Sequence, residues 1–281
     1  MLTAFAAPFA PFARGADGGQ IVGIASAILN EVSITPAGLP KAHRAVPRER
    51  VALADTVQTG KRSQLQVLLL DKSVFTVGAN ARLTIDRYVY APATGRSFTA
   101  SMAKGAFRFM SGKPDRVSDA SLRTPIATIG IRGTVVDAVI GADAVAIAKQ
   151  EGGIDRSTKS DADTASLVVL RGPGPLTQGG VVPGAISVTA GPGTVMLDRP
   201  MLAAYVPAPG AAPIGPFMIS RQGLARINAL IFPSLAAMRA ERDKPKAPKF
   251  RFSIGLPVPG FGGGGNGNGQ TDTPPHRGNG P

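Results

Sequence analysis

The stretch Ser63-Gln-Leu-Gln-Val-Leu-Leu-Leu-Asp-Lys-Ser-Val-Phe-Thr-Val-Gly-Ala-Asn80 decides the fold class. Leu65, Val67 and Leu69 alternate with Gln64 and Gln66, and the run then becomes continuous through Leu70. Period-two alternation places one face of a strand against a core, and a short continuous run reads as a strand buried on both faces. Val67 and Leu69 are therefore predicted core positions. Asp71-Lys-Ser73 and Val77-Gly-Ala-Asn80 break the runs with turn residues, as Thr59-Gly-Lys61 does upstream.

The same grammar extends outward. Leu83 and Ile85 alternate with Arg82, Thr84 and Asp86; Phe107 and Phe109 flank Arg108; further runs lie around Val135–Val139 and Leu167–Leu170. Gly130 and Gly133 enclose Ile131-Arg132, and glycine-proline turns follow at Arg171–Pro175 and Gly191–Gly193. Glu151–Asp163 is polar and reads as a surface insertion. Turn signals every eight to twelve residues predict an all-β protein, a jelly-roll-like β-sandwich of short antiparallel strands, with a short β-solenoid as the alternative.

One helix is expected. Met218, Leu224, Ile227, Leu230 and Ile231 form an amphipathic pattern that Pro233 should end, with a second short helix over Leu235–Arg242. The predicted organisation is an N-terminal segment at 1–19, a β domain at 20–206, a proline-rich connector with a basic amphipathic helix at 207–250, and a disordered Gly/Pro/Asn-rich tail at 251–281. Five prolines between Pro200 and Ser220 rule out a spanning helix there and suggest an irregular connector.

The chain has 281 residues with 35 Gly and 25 Pro, and it lacks Cys. Disulfides, thiolate metal sites and a Cys nucleophile are thereby excluded. Two histidines, His43 and His276, leave few options for a His-based triad or metal centre. No cofactor is expected. The net charge is +13, and Arg221–Arg251 carries eight basic residues against Glu241 and Asp243. Arg221, Arg226, Arg239 and Arg242 are candidate contacts to an acidic partner, although no nucleic-acid motif accompanies them.

Met1–Ala13 is uncharged and rich in Ala and Phe. It is like the apolar part of a secretory signal that lacks its basic n-region, or else a disordered N-terminus. A periplasmic or secreted location is the expectation, with no transmembrane segment.

Catalytic patterns are weak. The Gly-Lys pair at Gly60-Lys61 has Asp55 where a phosphate loop needs glycine. Pro173 and Pro175 remove the amide donors that a phosphate cradle would use. Asp71, Asp86 and Asp137 could supply a carboxylate pair for hydrolysis, but nothing in their spacing requires it. Arg132 stands in an apolar run, where an arginine must meet acceptors or reach solvent. Its glycine neighbours suggest an arginine tying acceptors at a strand bend, with an anion or partner contact as the alternative.

Taken together, Asp55-Thr-Val-Gln-Thr-Gly60, Ser63, Asp71-Lys-Ser73 and Val77-Gly-Ala-Asn80 resemble the FecR-type domain, as does Thr124-Pro-Ile-Ala-Thr-Ile-Gly-Ile-Arg-Gly-Thr134. Ala54 and Lys72 stand where that family has glycine. The resemblance implies structural turn roles for Asp55, Gly60, Asp71, Asn80, Gly130 and Gly133, and no catalytic residues. It implies the extracytoplasmic sensing or binding domain alone, contacting a protein or a cell-envelope component, without the anti-sigma segment and membrane span of the family's founding regulators. An envelope hydrolase using Asp pairs and a nucleic-acid binder using Arg221–Arg251 are the alternatives.

Overall fold

The computed structural model describes residues 19–91, 95–112, 118–172 and 184–234. The expected signal-like segment, the second helix over Leu235–Arg242 and the Gly-rich tail lie outside these residues, as do Arg239 and Arg242. All described residues belong to the compact unit that ends at Asp243.

The strands are β1 (Ile21–Leu29), β2 (Val32–Thr35), β3 (His43–Arg44), β4 (Arg50–Ala52), β5 (Thr56–Thr59), β6 (Gln64–Leu69), β7 (Val74–Val77), β8 (Arg82–Ala91), β9 (Gly95–Met110), β10 (Ser118–Arg123), β11 (Thr128–Arg132) and β12 (Val135–Ile140). Helix α1 (Ala142–Ala148) follows, then β13 (Ser166–Gly172), β14 (Ala185–Ala190), β15 (Gly193–Leu197), β16 (Leu202–Val206), β17 (Ile214–Met218) and helix α2 (Arg221–Ile231).

Pairing sorts the strands into two sheets. Sheet A runs β4-β1-β6-β7-β9-β12-β13-β16-β17. Sheet B runs β3-β2-β5-β8-β9-β10-β11-β14-β15. Among the described residues β9–β10 is the one parallel pair. The inner faces share one core, in which Phe98 of sheet B stacks on Phe109 of sheet A at 5.2 Å between centroids. The packing is thus the expected sandwich. The path also has something of the solenoid alternative, because hairpins are laid on the two sheets in turn and each sheet is ordered almost as the sequence is.

Strand β9 belongs to both sheets. Its first half pairs with β8 and β10, its second half with β7 and β12. The change falls near Gly105, at φ +95°, where a Cβ would lie 2.4 Å from Ala81 Cα. Only glycine meets both demands.

The inward residues of β6 are buried as expected, Leu65 and Val67 at 0% exposure and Leu69 at 2%. The continuous end of that run is not buried on both faces, since Leu68 and Leu70 are exposed. Two-sided burial occurs instead in β12, β13 and β16. There α1, α2 and Ile154 cover the outer face of sheet A and form a second core with Val139, Leu167 and Tyr205.

Helix α2 is an integral part of this cover. Ile227 and Ile231 are fully buried, and a Cβ on Gly78 would meet Leu230 O at 2.4 Å, so the Val77–Asn80 turn admits the helix only through that glycine. Ser220 caps α2 by accepting from Gly223 N–H, while Glu151 accepts from the Ser220 N–H at 2.7 Å and hydroxyl at 2.8 Å. A carboxylate suits a helix N-terminus. The segment read as a surface insertion thus begins with a buried Glu151, at 3% exposure. The stretch read as an irregular connector contains β16 and β17. Pro216 is tolerated because β17 pairs on one side only among the described residues, and edge strands accept proline.

Candidate functional site: the outer face of sheet B

Of the turn residues singled out in the sequence, Asp55, Gly60, Asp71, Asn80 and Gly133 lie between strands, whereas Gly130 stands inside β11 and not at a turn. Asp55 accepts from Ala37 N–H at 3.0 Å and Ala52 N–H at 2.8 Å. Asn80, at φ 54°, donates its N–H to Gly60 O. Asp71 accepts from the Ser73 N–H at 3.0 Å and hydroxyl at 2.7 Å, and Ser73 Oγ accepts from Gly112 N–H. Gly130 leaves room for Ser187, whose Oγ would lie 2.6 Å from a Cβ there, and Gly133 adopts φ +55°. Sequence reasoning missed Thr59, whose hydroxyl donates to Gly78 O at 2.6 Å and accepts from Ala81 N–H at 2.9 Å. A threonine just before the turn glycine was the available signal.

Ala54 and Lys72 both sit at φ 65°, the left-handed region a glycine would occupy at no steric cost. Side chains are strained there by about 1–2 kcal/mol. Lys72→Gly is therefore expected to raise stability, by about 0.5–1 kcal/mol after the added unfolded-state entropy. A urea midpoint that falls would show that the lysine makes a compensating contact.

The hydroxyl of Tyr88, 2% exposed, accepts the Asp71 N–H at 2.8 Å. Burial, and then the Asp71 charge, pushes this tyrosine well above its usual range; burial also raises Tyr205. The charged form is the deprotonated one, so the unfolded chain loses these protons first. The stabilisation is complete below about pH 10 and is lost as pH rises above it. Denaturation midpoints should hold steady up to that pH and then fall. Tyr88→Phe should cost about 1–3 kcal/mol at neutral pH and lessen the alkaline fall. An unchanged alkaline slope in Tyr88→Phe would exclude Tyr88 as its source.

The three aspartates considered for hydrolysis are not brought together as a pair. Asp71 lies in the β6–β7 turn, Asp86 on β8 accepts from Ser101 Oγ at 2.5 Å, and Asp137 on β12 is held by Arg108 and Arg171. Among the described residues no group of three or more His, Asp or Glu could hold a metal ion. Arg221 and Arg226 are exposed on α2. Five residues apart, they sit about 140° apart around the helix and form no single stripe.

Arg132 differs from its motif neighbours. Thr124 Oγ1 accepts from Ala127 N–H at 2.9 Å, and Thr134 Oγ1 donates to Gly172 O at 3.1 Å. Arg132 is exposed, and its guanidinium makes no hydrogen bond or ion pair among the described residues. The expectation that it ties acceptors at a bend is corrected: β11 alternates regularly, and position 132 falls on the outward side. Arg132→Ala should accordingly change stability by no more than about 0.5 kcal/mol, as for other surface positions. A loss above that in urea unfolding would restore the structural role.

Arg132 lines a cavity of about 520 Å³ on the outer face of sheet B. Its floor is a row across six strands: Arg87, Thr99, Ser121, Gly130, Ser187 and Met196 are successive register partners from β8 to β15. Thr99 and Ser121 share a hydroxyl hydrogen bond at 3.1 Å. Small side chains across the middle, with arginines beside them, make the face concave, polar and positive. A second cleft of about 990 Å³ lies by Arg44, Lys61 and Arg62 and is bounded by Pro233 and Ser234, where the described residues end.

Residues 55–155, from β5 to the segment after α1, match the family model described as FecR protein, and the resemblance read from the motifs is borne out. The strands on either side extend the same two sheets. A solved structure from Parabacteroides distasonis, described as a candidate anti-sigma factor, aligns at 15% identity with a TM-score of 0.35. The match covers 54% of each chain, so this chain spans about half the length of that protein. No curated protein matches the chain. Among the described residues, no helix is long and apolar enough to cross a membrane.

Proposed function

We propose that the chain is an extracytoplasmic, non-catalytic regulatory module that acts by contacting another protein through the outer face of sheet B. The observation that carries this reading is the asymmetry of the sandwich. Helices cover the outer face of sheet A, while sheet B presents a concave face that includes the outward arginine of the FecR signature. The carboxylates that a hydrolase would need are each engaged in a separate structural bond, which favours binding over catalysis.

Two measurements test the reading. Full-length fusions to a reporter enzyme active only after export should be active; an inactive, stable fusion would place the protein inside. A photo-crosslinking residue at Ser121 should yield one discrete protein adduct in cells, lost on Arg132→Gln, whereas the same residue at Gln222 on α2 should not. Adducts that are equal at both positions, or absent at Ser121, would overturn the assignment of the face.

A further inference from the structure

We infer that the groove on sheet B holds an extended acidic polypeptide segment, with two carboxylates on one side clamped by Arg87 and Arg132. The inference rests on the binding-module reading above and supplies its partner chemistry.

Four features select this occupant. The first is charge. Among the described residues no acidic side chain lines the groove, both arginines are exposed, and neither has an ion-pair partner. A guanidinium with all its donors in solvent is suited to bidentate pairing with a carboxylate.

The second is spacing. Arg87 and Arg132 lie three strands and two residues apart in the register, a Cα separation of about 16 Å at ordinary sheet dimensions. In an extended peptide, alternate side chains share a face, and residues four apart are separated by about 13 Å. Acidic residues four apart therefore meet the two arginines within side-chain reach, whereas adjacent ones point to opposite faces.

The third is the floor. Thr99, Ser121 and Ser187 present hydroxyls, which donate and accept. A peptide backbone offers N–H and C=O groups in alternation and can use both capacities. The fourth is what the lining does not offer. Its aromatic ring, Phe98, is 2% exposed and faces the core. Among the described residues of the lining there is thus no stacking platform of the kind used for single-stranded nucleic acid. Met196 is the exposed apolar side chain of the lining, a small anchor for a bilayer.

The test uses the full chain and fluorescein-labelled Ser/Thr-rich peptides. One carries two Glu about four residues apart, a second carries them adjacent, and a third carries Gln at both positions. Anisotropy at low salt should show binding of the first peptide, with affinity about tenfold lower for the other two. Arg87→Gln and Arg132→Gln should each weaken binding about tenfold, while Arg221→Gln with Arg226→Gln should leave it within about twofold. Equal binding of the spaced and adjacent peptides overturns the clamp. An equal loss from the α2 substitutions shows general attraction to a basic protein and overturns the site. Absence of peptide binding also overturns it, as does tighter, Arg87- and Arg132-dependent binding to phosphatidylglycerol vesicles. If the peptide fails while the Ser121 adduct forms, the binding-module reading stands and this occupant falls. If the peptide binds as expected and no adduct forms at Ser121, the groove's preference for an acidic segment stands and its use by a protein partner in cells falls.

Discussion

Asp137→Ala is expected to lower stability by about 3–5 kcal/mol, the usual cost of removing one partner from a buried ion pair. Asp137 has 0% exposure at the centre of sheet A. Its oxygens accept from Arg108 Nε at 2.6 Å and Nη2 at 2.7 Å, and Arg171 Nε lies 3.3 Å away. Burial pulls the Arg171 guanidinium below its ordinary range, and the charge of Arg108 adds to this, while Asp137 opposes both. Without the carboxylate, two largely buried cations face one another. The damage should spread to α2, because Arg108 also donates to Asn228 at 3.1 Å and lies 4.9 Å from the Phe232 ring. Urea unfolding followed by circular dichroism reads both effects. A loss below about 1 kcal/mol would mean that water enters and screens the site. Asp137→Leu with Arg108→Met should recover much of the loss, since apolar replacement of a whole pair is often neutral.

Phe109→Ala should cost about 3–5 kcal/mol. Phe109 is 1% exposed and stacks on Phe98 with 7° between ring planes; Phe75 lies 5.7 Å from it. This cluster is where the two sheets touch, and its members come from β7 and from both halves of β9. The ring cannot be replaced by local collapse, because β9 is held in register on both sides. With whole-domain stability commonly about 5–15 kcal/mol, the variant should melt far below the parent. A shift of a few degrees at most would show that the sheets can close over the cavity.

The sequence was most legible where one residue's surroundings are supplied by its neighbours. Alternation at Leu65–Leu69, Leu83–Ile85 and Phe107–Phe109 identified strands and their inward sides. The glycine positions of the turns were readable even where the residue had changed, as the left-handed Ala54 and Lys72 demonstrate. Legibility failed where surroundings arrive from far along the chain. Leu68 and Leu167 look alike in sequence, yet Leu68 faces solvent and Leu167 faces helices. Glu151 looked like surface because its partner, Ser220, lies 69 residues away. Arg132 was expected to tie acceptors at a bend: the pattern placed it at a strand's end, but which side it faced required knowing that β11 runs unbroken to that position. The groove itself was invisible, since its floor joins six strands that only register brings into line.

The near-sequential order of strands in both sheets bears on how such a molecule comes into being. A chain that emerges gradually, from a ribosome or through a narrow channel, finds the landing place for each new hairpin already built. Strand β1 meets β4 first and β6 about 40 residues on, as the Ser26–Gln66 bond reflects, and β11 waits longer for β14. After that, assembly proceeds like a staircase laid tread upon tread, and short loops keep the search for partners brief. A duplicated hairpin at the β15–β17 end would add a tread and leave those beneath it unmoved.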